Sequence, residues 1–96
     1  MSRIPRQAKR DAIEPDVVRT LEAGGCFVAK ISGAGVPDLI CCRLGAIHLI
    51  EVKSGKRGRL TEAQQKWKGP TPVLVRSVED ALTFLRCGAV LETEAR

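Results

Sequence analysis

Three charged residues interrupt apolar stretches of the chain. Asp38 opens the run VPDLICC, and Glu51 and Lys53 close the run IHLIEVK. In an extended chain successive side chains alternate between faces. Glu51 and Lys53, two apart, therefore share one face, with Lys53 about 7 Å further along. Between the two runs, Leu44-Gly45 reads as a tight turn. If the turn holds two residues, Arg43 pairs with Ala46, paired residue numbers add up to 89, and Asp38 stands directly opposite Glu51. Opposed residues of an antiparallel pair share a face, with Cβ atoms roughly 4.5–5.5 Å apart. A three-residue loop with a bulge at Gly45 would shift the pairing by one and turn Asp38 to the other face.

Two carboxylates that close repel each other unless one is protonated or a cation sits between them. A hard divalent cation, Mg²⁺ or Mn²⁺, suits a site with few carboxylates and positions left for water. Lys53 on the same face could orient water or stabilise negative charge. Together these groups equip metal-assisted attack on a phosphodiester. A plainer reading stands beside it: acids at strand ends are commonly solvated, and Glu51 with Lys53 also reads as a surface ion pair.

The chain has 96 residues and a mass of 10.4 kDa, which is one small domain. Residues 1–10 carry Arg3, Arg6, Lys9 and Arg10 and read as a mobile basic arm, 11–88 as the folded domain and 89–96 as a tail. A helix is expected over about 14–23, with Pro15 at its start, Gly24-Gly25 at its end and Val17, Val18 and Leu21 inward. Strands are expected over 26–31, 38–43 and 46–52. A short helix capped by Thr61 should run to about Lys68 with Leu60, Ala63 and Trp67 on one face. A fourth strand follows over 72–76. Ser77 with Asp80 three on opens a last helix, with Val78, Ala81, Leu82 and Leu85 inward and a stop near Gly88. Short links make the first three strands an antiparallel meander. The longer, helix-bearing connection makes the fourth parallel to the third. The expected class is α/β, order αβββαβα, a mixed four-stranded sheet flanked by helices. Phe27, Trp67 and Phe84 are expected in the core.

Pro37-Asp38 followed by Glu51-Val52-Lys53 fits the PD-(D/E)xK pattern of metal-dependent nucleases. Together GAGVPDL, LIEVKS, GRLTEAQQKW and an acid on the first helix resemble the VRR-NUC family of virus-type replication and repair nucleases, in particular its stand-alone phage forms. The likeness covers roughly residues 11–85. It implies a restriction-endonuclease-like core that cleaves DNA with Mg²⁺ or Mn²⁺. Asp38, Glu51 and the Val52 carbonyl would hold the metal, and Lys53 would position or activate the attacking water. Gln64 would line the site from the second helix, Gln65 being the neighbouring alternative. Glu14 would be the first-helix acid, with Glu22 as the fallback. The resemblance also implies a homodimer acting on branched or Holliday-junction DNA in phage or bacterial replication, recombination or repair, with a helicase or other replication protein as a possible partner. The rival expectation is a binding module of the same fold that is non-catalytic or acts only with a partner.

Lysine and arginine number 16 against 11 acids, a net charge of +5, which favours polyanionic partners. Lys53, Lys56, Arg57, Arg59, Lys66 and Lys68 fall within sixteen residues that hold one acid, Glu62. That stretch reads as a phosphate-tracking ridge beside the scissile site, with salt-sensitive binding. Only three aromatics argues against rows of stacked bases. No apolar run spans a membrane. Cys26, Cys41, Cys42 and Cys87 form no CxxC pair, and His48 has no partner at ligand spacing. Free cysteines in a reducing cytoplasm, that of the bacterial host for a phage protein, are the reading.

Overall fold

In the computed structural model, residues 10–54 and 60–88 are described. The elements are α1 (Glu14–Ala23), β1 (Phe27–Lys30), β2 (Leu39–Arg43), β3 (Ala46–Val52), α2 (Glu62–Gln65), β4 (Val73–Val75) and α3 (Val78–Cys87). They form a mixed four-stranded sheet of order β1-β2-β3-β4. The β1–β2 and β2–β3 pairs are antiparallel, and β3–β4 is parallel. The meander and the parallel fourth strand agree with the expectation from linker lengths. No described helix is long and apolar enough to cross a membrane.

The β2–β3 turn holds two residues. Arg43 pairs with Ala46 and Leu39 with Ile50. Leu44 (φ 53°) and Gly45 (φ 81°) both lie at positive φ, as the hairpin turn that matches strand twist requires. Gly45 takes this conformation freely, whereas Leu44 does so against the preference of a side chain.

Opposed residues share a face, so the two sides of the sheet follow from the register. One side carries Val28, Cys41 and His48, then Leu39, Ile50 and Val73. Val17 and Leu21 of α1 and Ala81 and Phe84 of α3 cover it, all fully buried. The His48 and Phe84 rings meet nearly at right angles, 5.0 Å between centroids. Ser77 caps α3 by accepting the Asp80 amide, and Gly88 closes it in the left-handed conformation. Cys26 and Cys41 pack together inside this layer, and burial pushes the Cys41 thiol up to about 12, with Cys26 adding to it. All four cysteines are free.

The other side carries Phe27, Cys42 and Ile47 in one row and Ala29, Ile40 and Leu49 in the next. Phe27 is 67% exposed and Ile47 73%. The expectation of Phe27 in the core is thus corrected: Cys26 takes the inward position and the pleat turns Phe27 outward. Leu82 of α3 is also exposed, since Phe84 rather than Leu82 completes the buried stripe with Ala81. The α2 helix is shorter than the expected 61–68 and buries no residue. Leu60 and Ala63 are exposed, and Trp67 stays outside the core cluster. The Trp67 ring lies against Gly69 and its Nε1 donates to the Pro70 carbonyl (2.8 Å), so this segment folds on itself.

Candidate metal and nuclease centre

The regular β2–β3 register ends at Leu39 and Ile50, and the Asp38 amide donates to that same Ile50 carbonyl (3.0 Å), so Asp38 and Leu39 both oppose Ile50 as in a β-bulge. The expected direct opposition of Asp38 and Glu51 is thus replaced by a local slip, and the two carboxyls meet through their side chains. Asp38 Oδ2 accepts the Val52 amide (2.8 Å), and Glu51, 3% exposed, lies within hydrogen-bonding contact of the Asp38 carboxyl. Burial pushes the Glu51 carboxyl up to about 8, and the Asp38 charge and hydrogen bond push the same way. Lys53 and Gln64 oppose that rise. At neutral pH Glu51 thus holds its proton, unless a cation takes the proton's place.

Gln64 reaches the pair from α2. Its Nε2 donates to Glu51 Oε2 (2.6 Å), while its Oε1 accepts the Thr61 amide (2.8 Å) and Thr61 Oγ accepts the Gln64 amide (3.1 Å). One residue closes the capping box and holds the buried acid. Gln65 instead donates to the Leu60 carbonyl from an exposed position. Gly35 allows α2 its close approach: its φ is +78°, and a Cβ there would lie 2.5 Å from the Ala63 carbonyl oxygen.

These groups line one cavity of about 620 Å³ together with Val52 and Lys53 and the glycine-bearing loop 33–36. The two carboxyls in contact offer oxygen donors. Oxygen donors whose repulsion a cation would relieve are the chemistry that suits Mg²⁺ or Mn²⁺.

Glu14 is not brought to the pair. It is 2% exposed, and both its oxygens accept from Arg10 Nε (3.1 and 2.9 Å). Glu22 is exposed near the end of α1. Among the described residues, no three acidic, thiol or imidazole groups converge on a possible metal position. Lys66 is exposed and pairs with Glu62 at 3.5 Å, and Lys68 is exposed. Lys56, Arg57 and Arg59 lie outside the described residues, as do 1–9 and 89–96.

Two lining residues escaped the sequence reading. Arg10, assigned to the mobile arm, also donates from Nη1 to the Ile31 carbonyl and from Nη2 to the Asp38 carbonyl, both at 3.1 Å. Asp11 accepts the Ile13 amide at Oδ1 (3.1 Å) and the Ser54 amide at Oδ2 (2.8 Å). Burial would raise the Asp11 carboxyl, but those two amides and the Lys53 charge outweigh it and hold it below its usual value. Signals were present: an acid three residues before the first residue of a helix, and Arg10 four residues before Glu14. The surrounding positive charges masked both.

Comparisons with protein-family models, with curated proteins and with solved structures found no match for this chain.

Proposed function

We propose that the chain is a metal-dependent DNA endonuclease with a restriction-endonuclease-like core, similar to the stand-alone VRR-NUC nucleases. It would hydrolyse phosphodiesters in branched or Holliday-junction DNA during phage or bacterial replication, recombination or repair. The observation that carries this reading is the buried contact between Asp38 and Glu51 in a cavity that Lys53 also lines. Asp38, Glu51 and the Val52 carbonyl would hold Mg²⁺ or Mn²⁺, which supplies Lewis acidity and neutralises charge at phosphorus. Lys53 orients the attacking water and steadies negative charge on the phosphate oxygens. Gln64 and the Val52 amide keep the two carboxylates in place. Lys66 and Lys68, with Lys56, Arg57 and Arg59, would track the DNA backbone by charge.

A homodimer completes the proposal. The row Phe27, Cys42 and Ile47 is apolar and uncharged in a chain of net charge +5, which favours a second copy over a polyanion at that row, four residues along β3 from Glu51. One observation favours the rival, a binding module that is inactive or needs a partner such as a helicase: no third acid joins the pair among the described residues.

The test is cleavage of labelled duplex, flap and four-way junction DNA with Mg²⁺, Mn²⁺ or EDTA, comparing wild type with Lys53→Ala. Metal-dependent products that fall by about 10²-fold or more in the variant, with the fold retained, are expected. Salt-sensitive DNA binding without any product would support the binding module instead.

A further inference from the structure

Arg10 and Asp11, a short step ahead of α1, touch the strand ends that carry the proposed site. Arg10 reaches the carbonyl of Ile31, just after β1, and that of Asp38, just before β2. The Asp38 carbonyl also accepts the Ile31 amide (2.9 Å), so the guanidinium braces an existing strand-end bond. The bifurcated hydrogen bond from Arg10 Nε to both oxygens of the fully enclosed Glu14 fixes the guanidinium from behind. Asp11 grips the other side of the cavity, where the Ser54 amide it binds immediately follows Lys53. The Lys53 amide in turn donates to the Val75 carbonyl (3.0 Å). Both residues line the cavity.

We propose that Arg10 and Asp11 form a clasp that positions the site, Arg10 setting the backbone of Asp38 and Asp11 setting the segment that bears Lys53. The inference rests on the nuclease reading above. It assigns the two residues separate tasks: Arg10 acts through a metal-holding carboxylate, and Asp11 acts through the water-orienting lysine. A rigid planar fork serves the first task, because one group must meet a carboxylate and two carbonyls at once. A short acceptor with two oxygens serves the second. Neither is a catalytic residue, since each acts through another.

The experiment compares wild type, Arg10→Lys and Asp11→Ala for Mn²⁺ affinity by calorimetry and for kcat and KM on cleavable DNA. Arg10→Lys keeps the charge and loses the fork. It is expected to weaken Mn²⁺ binding about 10- to 100-fold, the usual cost of removing a ligand's supporting partner. Asp11→Ala is expected to lower kcat about tenfold or more, with Mn²⁺ affinity and KM within about twofold of wild type. Should Arg10→Lys not fold, Arg10→Gln, which keeps an amide donor for Glu14, carries the same expectation. An active wild type whose variants lose thermal stability alone, or lose both readouts together, would overturn the clasp while leaving the nuclease reading intact. A wild type that neither binds Mn²⁺ nor cleaves would overturn that reading and the clasp with it.

Discussion

Glu51 shows how one buried acid depends on its neighbours. Its carboxyl titrates near 8 rather than in the usual carboxylate range because burial and Asp38 both disfavour its charge. The folded state therefore binds a proton that the unfolded state releases near pH 4.5. Stability from this group is complete below that pH and declines as pH rises towards 8. Without divalent metal, the unfolding free energy should fall by about 1 kcal/mol per pH unit between pH 5 and 8. Glu51→Gln should flatten the slope, and Mn²⁺ should offset it in wild type. Urea titrations at several pH values would read this, and a wild-type slope equal to that of the variant would refute it. Period-two alternation and one short turn made the β2–β3 register and the shared face of Glu51 and Lys53 legible, but not the slip that pairs the Asp38 amide with Ile50. Arg10 and Asp11 were not legible either, because their partners Ile31, Asp38 and Ser54 are backbone groups distant in sequence, which spacing does not show.

At the scale of elements, legibility tracked hydrophobic periodicity. The β3 range matched residue for residue, and α1 and α3 matched at their caps. The α2 helix did not, because its exposed turn carries no buried stripe; its length is set by Thr61 and Gln64 at one end and the Trp67–Pro70 fold at the other. Its place over the site depends on Gly35. Gly35→Ala would strain a positive φ and drive a Cβ into the Ala63 carbonyl. The expected cost is about 2–4 kcal/mol, together with loss of the Gln64 hold on Glu51. The urea midpoint and Mn²⁺ affinity should drop together. An unchanged midpoint would show that the loop and α2 are not in contact.

The whole molecule is asymmetric across its sheet. One face is sealed by α1 and α3, while the other is apolar and open at Phe27 and Ile47. Antiparallel sheets that meet water ordinarily alternate apolar with polar residues, and the rows on the open face break that pattern. The sequence showed the apolar runs but not which alternate set would be covered. Wild type should sediment as a dimer at micromolar concentration, and the double substitution Phe27→Asp with Ile47→Asp should yield a folded monomer. A wild-type monomer throughout that range would remove the homodimer from the proposal.

The pairing of Asp38 with Glu51 underlies the whole functional reading, and calorimetric titration of the protein with Mn²⁺ addresses it directly. Wild type should bind the ion with release of protons near pH 7, since Glu51 must give up its proton, and Asp38→Asn should abolish the signal. Equal Mn²⁺ binding by Asp38→Asn, or none by wild type, would contradict a metal centre at this pair.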